Sequence, residues 1–273
     1  MTVSGVPAQN AAAWDVLVAI PARNEAELIA ACLTAVREAG EHALAAGPVR
    51  RVRVAVAAHR CTDDTAAIAR RQLSDVGHQI DHLMIELHER APVGRVRTLL
   101  IERAMTKAPA LDPERTWVFS TDADSVVPPG WVMSTIAAAT AAHADLVAGL
   151  TALHGWEADG AAQDAYARLL QAGMFADGHR HVYAANLAIR YPALAQAGGF
   201  PPQPHGEEHG LVAAVRRQGG TVLTSFDPVV ATSARMPGRA EHGLGALLRT
   251  LAEHRMRSDN LPIDAVAFEP GAA

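Results

Sequence analysis

Cysteine is nearly absent from this chain of 273 residues, with only Cys32 and Cys61. Two thiols cannot build a disulfide framework, which fits a reduced cytoplasmic setting. Excess positive charge is also missing. The formal net charge is −5, whereas a nucleic-acid binder is usually basic, so nucleic acid is not an expected partner. No apolar run reaches the roughly 18–20 residues of a membrane span, and no integral membrane segment is expected. The N-terminus lacks a basic stretch followed by an apolar one, which argues against a signal peptide. Aromatics make up only 4% of the residues, and there is no internal repeat and no long polar tract of the kind that stays disordered.

What is present is an alternation of short apolar runs and helical patterns. Val16–Ile20 reads as a buried parallel strand stopped by Pro21, followed by a helix from Glu25 to about Glu38 that Gly40 ends. A strand over Val52–Ala58 leads to Thr62-Asp63-Asp64-Thr65, whose hydroxyls and carboxylates suit a helix start. A strand at Leu83–Leu87, a helix from Val93 to Lys107 and a strand at Trp117–Ser120 complete a regular first half. The second half is less regular. Strands are expected at Leu146–Leu150, Val182–Arg190, Thr221–Ser225 and Val229–Thr232, with helices at Ala162–Met174, Glu207–Arg217 and Leu244–His254. This order predicts an α/β fold with a largely parallel sheet.

In such a sheet ligands bind beyond the carboxyl ends of the strands, and reactive residues gather there. Arg23, Asn24 and Glu25 follow the first strand, His59 and Arg60 the second, and Asp122 and Asp124 the fourth. Two carboxylates at i and i+2 in a turn can face one cation, and hard oxygen ligands suit Mn2+ or Mg2+, which also bind substrate phosphates. Such a pair is common by chance; its place directly after Trp117-Val118-Phe119-Ser120 is what singles it out.

At this point the chain resembles the inverting family 2 glycosyltransferases, from about Val16 to Thr250. Pro21-Ala22-Arg23-Asn24-Glu25 is similar to that family's Pro-x-x-Asn-Glu turn against the sugar nucleotide, and Cys61-Thr62-Asp63-Asp64-Thr65 to its Ser-Thr-Asp-Gly-Thr helix start. Gly94-Arg95-Val96-Arg97 resembles the Gly-x-x-Arg whose arginine approaches the nucleotide. Asp122-Ala123-Asp124 resembles the Asp-x-Asp that holds metal and diphosphate. Asn186 with its neighbours, then Gly198-Gly199-Phe200, resembles the border of the acceptor site, and Glu207-Glu208 stands where the family has Glu-Asp, the second carboxylate being the general base.

The resemblance implies a GT-A fold: a single Rossmann-like domain with a central, mostly parallel mixed sheet flanked by helices. It would span 15–257, with a nucleotide-binding half at 15–125, an acceptor half at 126–257, and tails at 1–14 and 258–273. Its partners would be a nucleotide-sugar donor and an acceptor of unknown identity, and the sequence leaves room for a homodimer. Pro21, Arg23, Glu25, His59, Arg97 and Asp122 would line the donor nucleotide. Asp122 and Asp124, with His242 as the nearest C-terminal histidine, would hold the metal, and Glu208 would be the base. Arg235 and Arg239 would form a basic phosphate lid; Asn186, Glu207, Trp156 and Glu157 would border the acceptor.

Two departures from the family pattern bear on activity. Ala58, followed by His59, replaces an aspartate that reads uracil in many members, which opens the donor to GDP as well as UDP. Glu208 is one methylene longer than the usual aspartate. Three other readings compete. His205-x-x-Glu208-His209 fits an inverted zinc-peptidase pattern. A nucleotidyltransferase would use the same sheet, but no glycine-rich loop follows the first strand. A non-catalytic sugar-nucleotide or glycan-binding protein would keep the fold without turnover.

Overall fold

The computed structural model describes residues 13–75, 79–156, 160–203, 205–235, 248 and 251. β1 (Trp14–Ala22), α1 (Ile29–Ala46), β2 (Val49–His59), α2 (Thr65–Ser74), β3 (Ile80–Leu87), α3 (Val93–Thr106) and β4 (Thr116–Ser120) alternate through the first half. Then come β5 (Ser125–Val126), α4 (Trp131–Ala142), β6 (Leu146–His154), α5 (Gly160–Ala172) and a small hairpin of β7 (Met174–Phe175) and β8 (Gly178–His179). β9 (Leu187–Arg190), α6 (Tyr191–Gln196), α7 (Glu207–Arg217) and β10 (Val222–Ser233) follow.

Eight strands form one sheet in the order β3-β2-β1-β4-β9-β6-β10-β5. β1 pairs parallel with β2 and β4, β2 with β3, and β6 with β10. β9 runs antiparallel between β4 and β6, and β5 antiparallel along β10. This is the expected mostly parallel α/β sheet. β1 explains why its sequence is continuously apolar: Val16, Val18 and Ile20 enter the core under α1 and α4, while Leu17 and Ala19 enter the opposite core under α3 and α7. β1 is flanked by β2 on one side and β4 on the other. A crevice therefore opens beyond the carboxyl ends of β1 and β4, where the strand order switches direction.

Several boundaries differ from the sequence reading. β1 does not stop at Pro21. Its ladder with β4 ends at Ala19, while Pro21 and Ala22 still pair with Ala57 and Ala58 of β2, so the missing proline N–H falls where one side is already unpaired. Gly40 does not end the first helix. A Cβ there would lie 3.0 Å from Ile80 and 3.2 Å from Val52, so this glycine lets α1 approach the sheet; the stop is Gly47, at φ +106°. The two short strands expected at 221–225 and 229–232 are one strand, β10, with an irregularity between Ser225 and Val230. Only Leu187–Arg190 of the strand expected at 182–190 pairs as a strand, after a 3-10 turn over Ala184–Asn186. α4 and α6 were not anticipated; α4 is almost uniformly apolar and has little helical periodicity to detect. Of the closing helix expected at Leu244–His254, the described residues include only Leu248 and Leu251, both helical and packed near Tyr166 and Ala234.

Candidate active site

β4 runs straight into Thr121-Asp122-Ala123-Asp124, with Ala123 turned into the core and both aspartates in the crevice. The loop is anchored from beneath. Cys32 on α1 donates its thiol to the Asp122 carbonyl at 3.3 Å, and Ser233 N–H at the end of β10 donates to the Asp124 carbonyl at 3.2 Å. The Asp124 carboxylate lies beside the hydroxyls of Ser125 and Thr232, at 3.4 and 3.5 Å. Burial, then repulsion from Asp122 and Glu25, raises its pKa to about 7.

Two sequence motifs turn out to form one unit. Asn24, at φ +54°, accepts the Thr62 N–H at 2.8 Å, and Glu25 N–H donates to Thr65 Oγ at 2.7 Å. Asp63 accepts from Ala26 N–H at 3.2 Å and from Thr65 N–H at 3.1 Å. The carboxylate at 63 therefore orients the Pro21–Glu25 turn as much as it opens α2, and Asp64, at the cap position, makes no side-chain cap bond. This stitching holds residues 24–26, and the Leu28 and Ile29 N–H groups donate to the Glu25 carbonyl at 3.1 and 2.9 Å as α1 begins at Ile29. Glu25 is 6% exposed, and Arg235, just past β10, reaches it across 210 residues: one nitrogen, Nη2, donates to both carboxylate oxygens at 2.7 and 2.8 Å.

Arg97 is the buried joint of the crevice, at 2% exposure. Its Nη1 donates to Ser120 Oγ at 2.7 Å and to the Thr121 carbonyl at 3.3 Å, its Nη2 to Asp122, and its Nε to Glu207 at 3.4 Å. Burial opposes the guanidinium's charge, but Asp122 and Glu207 outweigh it and raise the pKa above its ordinary value. Gly94, one helical turn earlier, faces the same junction. A Cβ there would lie 2.1 Å from the Pro201 carbonyl oxygen and 3.0 Å from Glu207 Cβ, so α3 and α7 meet this closely only because residue 94 is glycine.

α7 begins at Glu207, as expected, behind Gly206 at φ +73°. A helix N-terminus favours ionised carboxylates. At Glu208 that preference loses. Burial first, then the neighbouring Glu207 charge, raises its pKa to about 8. Glu208 is thus a carboxyl poised near neutrality in the same crevice as Asp122. His205 precedes the helix and is exposed, so it does not share a helix face with His209 as the peptidase pattern requires.

The remaining residues divide clearly. Pro21 is in β1 and Arg23 is exposed at the rim. His59 is the last residue of β2 rather than a residue beyond it, 8% exposed, with Nε2 2.9 Å from the Glu89 carbonyl. Asn186 is interior. Its amide donates to the Leu150 and Pro228 carbonyls at 2.7 and 2.8 Å, and its oxygen accepts from Trp131 Nε1 at 2.9 Å, so it pins β6, β10 and α4 together. Trp156 packs edge-to-face on Tyr166 at 5.5 Å. Glu157, Arg239 and His242 lie outside the described residues. Sequence reasoning missed Cys32, Ser120 and Thr98, which support the site from beneath. Thr98 Oγ accepts from Phe200 N–H at 2.9 Å and so docks the Gly198-Gly199-Phe200 turn on α3.

Glu25, Asp122 and Asp124 put a surplus of negative charge at the crevice, which fits a divalent cation. Among the described residues no three His, Cys, Asp or Glu side chains gather closely enough to hold an ion by themselves. That donor set suits Mn2+ or Mg2+ completed by water and phosphate oxygens rather than a metal caged by protein.

The sequence pattern of the family described as glycosyl transferase family 2 matches residues 17–194, well over half the chain. No curated protein matches. Solved structures with the same fold include the mannosyltransferase PcManGT from Pyrobaculum calidifontis in complex with GDP-Man and Mn2+ (21% identity, TM-score 0.59, 83% of this chain and 59% of that one). Residues 1–349 of S. aureus TarS in complex with UDP-GlcNAc are similar at 12% identity and a TM-score of 0.58, over 92% of this chain and 69% of that one. Glucosyl-3-phosphoglycerate synthase from Mycobacterium tuberculosis with phosphoglyceric acid follows at 18% identity and a TM-score of 0.53, over 88% of this chain and 80% of that one. The chain thus spans under two thirds of the length of the mannosyltransferase. Among the described residues no helix is long and apolar enough to cross a membrane.

Proposed function

Because the chain belongs to glycosyl transferase family 2, and is therefore a glycosyltransferase, we propose that it transfers a sugar from a nucleoside-diphosphate donor to an acceptor hydroxyl with inversion. One observation carries this reading. A single buried guanidinium, Arg97, joins Asp122 at the donor side to Glu207 at the start of α7, so the Asp-x-Asp turn and the Glu208 carboxyl belong to one crevice.

In this reading Glu208 takes the acceptor hydroxyl proton as the oxygen attacks the anomeric carbon. The bond from that carbon to the diphosphate oxygen breaks on the opposite face, the nucleoside diphosphate departs with the electron pair, and the proton stays on Glu208. A carboxyl with a pKa of about 8 is well matched to hold that proton at neutral pH. Asp122 and Asp124 would hold Mn2+ or Mg2+, which supplies Lewis-acid stabilisation of the leaving diphosphate. Arg97 acts through Asp122, whose carboxylate it orients, rather than by reaching phosphate itself. Glu207 anchors Arg97 and stands beside Glu208 at the start of α7. Ala58 presents no carboxylate to a uracil ring, so a GDP-sugar is favoured over a UDP-sugar; the neighbour bound to GDP-Man and Mn2+ is in keeping with that preference.

Calorimetry and melting curves with GDP and UDP, with and without Mn2+, test the reading. Nucleotide that stabilises the chain only with metal, and more strongly for GDP, supports it. Nucleoside diphosphates that bind neither way overturn it. Tight metal–nucleotide binding without transfer or hydrolysis of any donor sugar would make the chain a sugar-nucleotide binder instead.

A further inference from the structure

Arg235 has an unusual station. It follows the end of β10, the strand whose Ala231 and Thr232 pair with Val126 and Ser125 directly after Asp124, and its guanidinium reaches Glu25 at the end of the first strand's turn. There a single nitrogen stands 2.7 and 2.8 Å from the two oxygens of Glu25, as a point cation chelated by one carboxylate would. The charges of Glu25, Asp124 and Glu27 all act on it. Its Nε is shut off from solvent and, among the described residues, has no hydrogen-bond partner, a donor for which an acceptor is missing. An ordinary structural ion pair explains the contact with Glu25; it explains neither the orphaned Nε nor the position beside Asp124.

We infer that Arg235 is the resident counter-cation of the donor site: it neutralises Glu25 and Asp124 while the site is empty and is exchanged onto the donor diphosphate when a divalent ion arrives. The inference rests on the metal–diphosphate reading above. Metal and guanidinium compete for the same negative field, so each weakens the other, and the coupling is reciprocal. Diphosphate removes the conflict because it supplies acceptor oxygens to Arg235, including one for Nε, while also completing the metal shell. The ion and the nucleotide would therefore enter together rather than the ion alone.

This predicts opposite signs for one substitution. In Arg235→Gln, Mn2+ alone, read from the loss of its free electron-spin signal, should bind roughly three- to tenfold tighter because a competing charge is gone. The affinity of GDP or UDP in the presence of Mn2+, read by calorimetry, should fall about tenfold with the lost charge-assisted bonds. A merely structural ion pair would move both affinities in the same direction or neither, and that result overturns the exchange. If Arg235→Gln does not fold, Arg235→Lys keeps a point charge without the planar fork. Metal affinity close to wild type with weakened nucleotide binding then supports the exchange, and two unchanged affinities overturn it. A wild-type chain whose nucleotide binding ignores Mn2+ instead overturns the metal–diphosphate reading, and this inference with it.

Discussion

Glu208 is the residue on which chemistry and stability pull in opposite directions. Its ordinary pKa of 4.5 is raised to about 8, so between those values the folded chain holds a proton that the unfolded chain releases. The unfolded state therefore binds fewer protons there, and this group's contribution to stability falls as pH rises through that window. Activity runs the other way, because the base must be ionised: kcat/KM should climb with pH and level off above about 8. Glu208→Gln should lose about 10²–10⁴-fold in kcat. The same variant should melt higher than wild type at pH 9 and nearly equal to it at pH 5, measured by circular dichroism. A variant that is inactive yet no more stable at high pH would mean that Glu208 is not held protonated. The place of Glu208 in the first turn of α7 was legible in the sequence. The partners of Arg97 were not, because Glu207 is 110 positions away and nothing local in either segment marks the contact. The same holds for Arg53. It is fully buried and donates to Asp81 at 2.6 Å and to the Pro109 carbonyl at 2.7 Å, although an arginine in a strand reads as an exposed position.

At the scale of elements, periodicity and turn chemistry found the strands and helices of the first half, and it found α7 to the residue. What they misjudged were glycines and prolines, whose meaning depends on neighbours remote in sequence. Gly40 and Pro21 look like punctuation, yet one is a packing contact and the other part of a strand. Gly94 is the sharpest case. As part of a Gly-x-x-Arg pattern it could be read as flexibility, but its lack of a side chain is what lets α3 touch the 201 backbone and the start of α7. Gly94→Ala should cost about 1–3 kcal/mol in urea unfolding, the usual range for forced overpacking. Because relief requires α3 or α7 to move, kcat should drop even where the variant is fully folded. A stable, fully active Gly94→Ala would show that the two helices tolerate separation.

For the whole molecule, the fold class was legible because alternating apolar runs and helical stretches admit few α/β arrangements. The order of strands was not. Nothing in Leu187-Ala188-Ile189-Arg190 says that it belongs beside β4, antiparallel, 67 to 73 residues along the chain from its partners. Nor does a single sequence reveal that the Pro21–Glu25 turn and the Thr62–Thr65 segment share hydrogen bonds, although both were visible as separate motifs. The crevice is thus a property of the assembled sheet, and the two acidic clusters that define it come from opposite halves.

The placement of β9 also sets a schedule for synthesis on the ribosome. When β4 emerges, one of its long edges, lined by Trp117, Val118 and Phe119, has no neighbour until residues 187–190 have been made. An unpaired apolar edge invites pairing with other chains. The first half, regular as it is, should therefore fail as a separate piece. Residues 13–142 expressed alone are expected to aggregate, while residues 13–235 should give dispersed protein by light scattering. A soluble, monomeric first half would mean that β4 can shield its own edge.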